Sequence, residues 1–150
     1  MHSKKEIISI NSILEELVLI SGLSGYENNV RSCLIKKLKS KSLKPTTDIL
    51  GNLICTLKGD DNLPSVILFA HMDQLGFIVK KIEDNGFIRV ERLGGIPEKA
   101  LASQDIVIVN NKNELVKGII GNKSHHATLQ DEKYTVTPIK NIYIDAGFKN

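Results

Sequence analysis

Tryptophan is absent from this chain of 150 residues, and aromatic residues are few, with four Phe and three Tyr. Lysines alternate with acidic residues, and the formal charge is only +3. Without a basic stripe or aromatic stacking platforms, no nucleic-acid footprint emerges. Long hydrophobic runs are also missing: none approaches the ~20 residues of a membrane span. The start, Met1-His-Ser-Lys-Lys-Glu6, is basic, but Glu6, Asn11, Glu15 and Glu16 interrupt the apolar positions that follow, unlike a signal-peptide core. The expectation is a cytoplasmic protein with neither a membrane nor a nucleic-acid partner. Cysteine is scarce too. Cys33 and Cys55 have no redox or metal-ligand spacing and read as reduced, buried thiols. Asn122-Lys-Ser124 matches a glycosylation sequon, which has meaning only in a secreted protein.

What is present is ordinary for a globular chain, 41% hydrophobic and 25% charged, and long enough to bury roughly 68–70% of its unfolded surface. Its centre is Pro64-Ser-Val-Ile-Leu-Phe-Ala-His-Met-Asp-Gln-Leu-Gly76. Val66–Ala70 is short, uninterrupted and apolar, which predicts a strand buried on both faces. His71 and Asp73 follow at its exit, where α/β sheets collect ligands and catalytic groups, and in extended chain they point to one side. A carboxylate there can fix the imidazole tautomer and leave the other nitrogen for a metal or a proton. The spacing His-x-Asp alone occurs often by chance and favours a purely structural pair, and its place at the exit of the predicted strand brings the functional reading level with it.

Before this centre, Ile7, Ile10, Leu14, Leu17, Val18 and Ile20 recur at helical spacing and predict an amphipathic helix over Glu6–Ile20. Ser21-Gly-Leu-Ser-Gly25 stops it, and Ser24 or Tyr26 stands ready to open a second helix over Glu27–Lys41. That helix buries Val30, Leu34, Ile35 and Leu38 and leaves Lys36, Lys37, Lys39 and Lys41 as a solvated face. Pro45–Lys58 reads as a hairpin about Gly51-Asn52. After Gly76 helical periodicity disappears. Phe77–Ile82, Phe87–Leu93, Asp105–Val109, Leu115–Ile120 and Ile142–Ile144 read as short strands of a small antiparallel barrel or sandwich, with a boundary near Leu75. The chain ends just after the last of them, without a polar tail, which reads as a cut.

In order, Ser21-Gly-Leu-Ser-Gly-Tyr-Glu27, Asp48-Ile-Leu-Gly-Asn52, Ala70-His-Met-Asp-Gln-Leu-Gly76, Gly118 through His126, and Ile144-Asp-Ala-Gly147 resemble the motifs of metallopeptidase family forty-two. These are the tetrahedral aminopeptidases, which include glutamyl and deblocking aminopeptidases and members named cellulases or endoglucanases. The resemblance covers essentially the whole chain. It implies an α/β fold: the start of a mixed-sheet di-metal peptidase domain (1–74) followed by a small all-β barrel of the dimerisation type (75–150), both incomplete. It also implies a peptide substrate, a pair of divalent ions, zinc or cobalt, and homo-oligomers from dimer to dodecamer. His71 would be a metal ligand and Asp73 the catalytic-site carboxylate that holds its imidazole. The other ligands of the family, carboxylates and a last histidine, come later than anything here.

A catalytic zinc normally takes about three protein ligands, so the chain by itself is expected to hold no metal, to be inactive as a peptidase, and to self-associate through uncovered apolar surface. Within the motif there is one departure, Gln74 where the family usually has Glu. His125 and His126 are adjacent and are read as structural or interface residues, since relatives carry a histidine there that is not a ligand. His2 belongs to the terminus, and Asp145 is expected to satisfy a turn backbone. Two alternatives stay open: a non-catalytic oligomerisation or binding module, and a glucanase-named member of the family, for which paired carboxylates are not evident.

Overall fold

Two helices occupy the first part of the computed structural model, which describes residues 4–148: α1, Lys4–Val18, and α2, Asn28–Ser40. The chain divides into two compact units, Met1–Gln74 and Leu75–Asn150. His2 lies outside the described residues, as does the side chain of Ile7.

In the first unit both helices form where periodicity predicts them, but their apolar faces are less covered than expected. Ile10, Leu14 and Val18 of α1 are exposed. On α2 only Val30 is buried, while Leu34, Ile35 and Leu38 are half-buried. The lysine face is solvated at Lys36, Lys39 and Lys41, whereas Lys37 turns to Glu16 of α1 and pairs with it. Cys33 donates its thiol hydrogen to the same carboxylate at 3.3 Å. Partial burial, and then Glu16, push the Cys33 thiol up from its ordinary value. Both cysteines are free, as expected, but half-buried rather than buried.

The predicted hairpin is present and short. β1, Thr46–Thr47, pairs antiparallel with β2, Leu53–Ile54. Asp48 organises the connection, its Oδ1 accepting from the N–H groups of Leu50 (3.0 Å) and Asn52 (2.8 Å). These bonds hold the Asp48 carboxyl below the usual range, the Asn52 side chain contributing most. Arg31 of α2 anchors the turn by donating from Nε to the Gly51 carbonyl at 2.7 Å.

The largest correction concerns Val66–Ala70. The expected doubly buried strand is not a strand: Val66, Ile67, Leu68 and Phe69 are 83, 83, 94 and 93% exposed. A strand exists only as a member of a ladder, and among the described residues no backbone group of 64–70 has a main-chain hydrogen-bond partner. Among the described residues of this unit the two-stranded ladder, β1–β2, pairs with itself and leaves 64–70 without a neighbour. The expectation that the chain would leave apolar surface uncovered does hold.

The second unit contains β3 (Gly76–Ile82), β4 (Ile88–Leu93), β5 (Asp105–Val109), β6 (Leu115–Ile120) and β7 (Ile144–Asp145). They form one antiparallel sheet in the order β3-β4-β7-β6-β5. Alternation along β4 explains its faces, because Ile88 and Val90 turn inward and Arg89 and Glu91 do not. Ile88, Val90, Leu101, Ile120, Ile142 and Ile144 make the core, each large aliphatic side chain contributing about 1.5–3 kcal/mol on burial. At the β3–β4 turn Gly86 has φ +84°, and a Cβ there would meet the Phe148 carbonyl oxygen at 2.3 Å, so glycine is required.

The expected barrel or sandwich is, among the described strands, a single open sheet. Its outer strands β3 and β5 are not paired with each other. Closure needs a continuous, staggered ladder around the ring, and here the two hairpins are joined only by the two residues of β7, Ile144 to Ile88 and Ile120, and Asp145 to Ile119.

Candidate metal-ligand site

The site is built where the exposed apolar segment ends and the connection between α1 and α2 comes alongside it. Leu23 and Gln74 form a parallel bridge, and the Gln74 N–H donates to the Gly22 carbonyl at 2.7 Å. Gly22 is buried, and a Cβ on it would meet Val30 Cγ2 at 2.5 Å. The absence of a side chain therefore lets the connection lie flat against α2.

This register brings Ser24 to Asp73, 49 residues apart in sequence, and the Ser24 hydroxyl donates to Asp73 Oδ2. The other oxygen, Oδ1, lies 3.0 Å from His71 Nδ1, which is also 3.1 Å from the Asp73 main-chain oxygen. With two acceptors facing it, Nδ1 carries the hydrogen. Nε2 is left with its lone pair on an imidazole that is 85% exposed. The Ser24 hydrogen bond, more than any other cause, holds the Asp73 carboxyl below its ordinary value, partial burial opposing it and the Asp73 N–H and His71 assisting.

His71 and Asp73 are thus brought together, as their spacing predicts. The role of Ser24 differs from the one expected. α2 starts after Glu27 with no side-chain cap, and the Ser24 hydroxyl is committed to Asp73 instead. Glu27 serves locally, accepting from the Gly25 N–H at 2.7 Å and lying 3.9 Å from Arg31. Gln74 was visible only as a departure from a pattern. Its side-chain amide faces the carbonyls of Val18 (3.3 Å) and Leu17 (3.4 Å), the last turn of α1. No local signal reports a partner more than 50 residues away.

The remaining candidates sit apart. His125 and His126 belong to the second unit, exposed on a 3-10 turn with ring centroids 5.9 Å apart. His125 lines a cleft of about 710 Å³ together with Arg89, Lys123, Glu132 and Tyr143, among others. Two of its cations are committed: Lys123 pairs with Glu132 at 2.8 Å and Arg89 with Glu83 at 3.0 Å. Asp145 satisfies its turn as expected, accepting from the Gly147 N–H at 2.9 Å. Among the described residues, no group of three or more His, Cys, Asp or Glu side chains is placed to hold a metal ion. His71 and Asp73 fit a share of a metal site, one free imidazole nitrogen with its orienting carboxylate, and the other ligands would have to come from outside the described residues.

The sequence model of the M42 glutamyl aminopeptidase family matches residues 51–150, and the chain belongs to that family, one of metallopeptidases. A lysyl aminopeptidase of Pyrococcus furiosus is 33% identical over 110 residues, 73% of this chain and 31% of that protein. Among solved structures, the TET1 peptidase of Pyrococcus horikoshii, described as able to assemble into a tetrahedron or a large octahedral shell, is 30% identical with a TM-score of 0.81. That match covers 91% of this chain and 40% of the other. An endoglucanase of Thermotoga maritima is 34% identical with a TM-score of 0.72, covering 91% of this chain and 39% of the other. The chain spans 38% of the length of the first curated relative it matches. No helix among the described residues is long and apolar enough to cross a membrane.

Proposed function

We propose that this chain carries the opening part of a di-metal aminopeptidase that removes N-terminal residues from peptides. His71 is a metal ligand through Nε2, and Asp73 is the catalytic-site carboxylate that orients it. The supporting observation is the relay Ser24 hydroxyl, Asp73 carboxylate, His71 Nδ1 in a chain of this family. Asp73 accepts the Nδ1 hydrogen and so directs the Nε2 lone pair outward. Ser24 occupies the second carboxylate oxygen and limits its rotation. The divalent ions, zinc or cobalt, supply polarisation of the peptide carbonyl and activation of water when bound.

Residues 1–74 belong on this reading to the α/β peptidase domain, and 75–150 to a β-barrel insert that mediates dimers and larger assemblies up to the dodecamer. The assembling TET1 peptidase supports the oligomer. The proposed location is cytoplasmic, with neither a membrane nor a nucleic-acid partner, in keeping with the interleaved charges and the want of a long apolar run. The 150-residue chain alone is inactive, for want of ligands. The similarity to an endoglucanase favours a second reading, hydrolysis of a glucan, which would require two carboxylates flanking the bond at about 5–9.5 Å.

The test is hydrolysis of aminoacyl chromogenic substrates by the protein expressed from the intact reading frame, with cobalt or zinc. Activity that a chelator removes is expected, and His71→Ala should abolish it together with metal binding. Asp73→Asn should lower metal affinity by about 10 to 100-fold. Activity on a soluble β-glucan with none on peptides would transfer the proposal to the second reading. Unchanged metal affinity in His71→Ala would remove that residue from the ligand set.

A further inference from the structure

We propose that the cleft of the second unit is a binding site for a small organic dianion, a phosphate monoester or a dicarboxylate with an apolar body. Its volume of about 710 Å³ lies in the range of sites that enclose a small molecule. The floor of the cleft is built before any ligand arrives. Gly121, just after β6, lies against the Tyr143 ring, where a Cβ would meet Cε2 at 2.1 Å, so the absence of a side chain admits the ring. Phe87 stands beside that ring with centroids 4.6 Å apart, and the Arg89 guanidinium lies 5.7 Å from its centroid. Arg89 is fixed in turn, Nε donating to Glu83 Oε1 at 3.0 Å and Nη1 to the carbonyls of Asn141 (3.1 Å) and Ile142 (3.3 Å). A ligand resting on Tyr143 therefore does not have to order it. Val136 and Pro138 extend the apolar lining.

Charge decides what this floor accepts. Arg89 is matched by Glu83 and Lys123 by Glu132 at 2.8 Å, while Glu98 faces Arg92 at 3.9 Å. Both acids of the lining are thereby answered. Lys99 and Lys133 line the same cleft, and among the described residues neither ammonium has an ion-pair or hydrogen-bond partner. Lys133 is half-buried, where salt screens a charge less than on open surface. The side-chain amide of Asn122 and the hydroxyls of Thr137 and Tyr143 also line the cleft without a partner among the described residues. Two unmatched cations and three neutral donors thus border one space. A neutral ligand would leave both ammonium groups unmatched, and a monoanion one of them. A dianion with several oxygens matches both and accepts from the neutral donors, and the walls of a cleft concentrate the field it meets. None of these residues belongs to the His71 site, so the proposal is independent of the metal reading.

The experiment is calorimetric titration of the 150-residue chain with phenyl phosphate and with phenylsuccinate, at low salt and about pH 8, where a phosphate monoester is doubly charged. Inorganic phosphate and benzyl alcohol present the charge and the ring separately. At least one of the two dianions should bind at a single site per chain, and the two partial probes at least about ten-fold more weakly. The tighter dianion distinguishes a phosphate ester from a dicarboxylate as the natural class. Lys133→Gln should weaken binding by about ten-fold and the more exposed Lys99→Gln by about three-fold. Lys112→Gln, in the exposed turn between β5 and β6, should leave it unchanged. The bound dianion should also protect Lys99 and Lys133 from acetylation relative to Lys112, as mapped by mass spectrometry. Binding by neither dianion overturns the proposal. Inorganic phosphate binding as tightly as the better dianion overturns it too, because the Tyr143 floor would then contribute nothing. Wild-type affinity in Lys133→Gln, or protection spread evenly over the lysines, would place the ligand elsewhere and overturn it as well.

Discussion

The two units of this chain spend their apolar residues differently. In the second unit six aliphatic side chains, from Ile88 to Ile144, close into a core. In the first, Val30 is the buried hydrophobic side chain among the described residues, and Val66 to Phe69 face outward. Composition does not separate them, since the first unit contains the most apolar run in the sequence. What separates them is the range of the contacts each pattern needs. Antiparallel hairpins such as β3–β4 and β5–β6 find their partners within a few residues, and β7 needs only two residues to join them. A strand of the parallel, doubly buried kind needs neighbours on both edges and layers on both faces.

The contrast is broken most directly by cutting into the core of the second unit. Ile144→Ala should destabilise it by about 2–5 kcal/mol, whereas Leu68→Ala, in the uncovered segment, should stay within about ±0.5 kcal/mol. Urea titration of both variants measures the difference, and equal losses would mean that Val66–Phe69 is covered in solution. Next in size is Gly22→Ala. The new methyl would stand 2.5 Å from Val30 Cγ2, and overpacking of this kind costs about 1–3 kcal/mol. The loss should appear in the helical signal of the first unit and spare the sheet.

The uncovered segment also predicts association. Unpaired backbone beside exposed Val66, Ile67, Leu68 and Phe69 is a template for another chain, so the 150-residue chain should self-associate, and Phe69→Asp should shift it toward monomer. Light scattering against concentration reads this, and a monodisperse wild-type monomer would contradict it.

The smallest expected effect lies in the site. The Asp73 carboxyl is held below its ordinary 3.8, first by Ser24. A lowered folded value contributes stability that is complete above the unfolded value and lost as pH falls through the folded one. Wild type should therefore lose a small increment on acidification below about pH 4. Ser24→Ala should raise the Asp73 value and flatten that part of the pH–stability curve. Identical curves for the two proteins would separate Ser24 from the ionisation of Asp73.

Much of this architecture was legible in the residues. The short apolar runs Phe77–Ile82, Phe87–Leu93, Asp105–Val109 and Leu115–Ile120 and the three-to-four spacing in α1 and α2 are local patterns, and each formed its element at or near its predicted place. His71 and Asp73 were legible for the same reason, since two residues of extended chain suffice to bring them to one side. Sheet order, with β7 between β4 and β6, was not legible, because pairing across 50 residues leaves no period in the sequence. Nor was the Ser24 bond to Asp73 or the Gln74 amide at the end of α1. The sequence by itself determined which residues can form helices, hairpins and a histidine–carboxylate pair, because those depend on neighbours along the chain. Only the tertiary structure decided which apolar run is covered and which hydroxyl meets the carboxylate of the pair, because burial and long-range hydrogen bonding depend on neighbours in space.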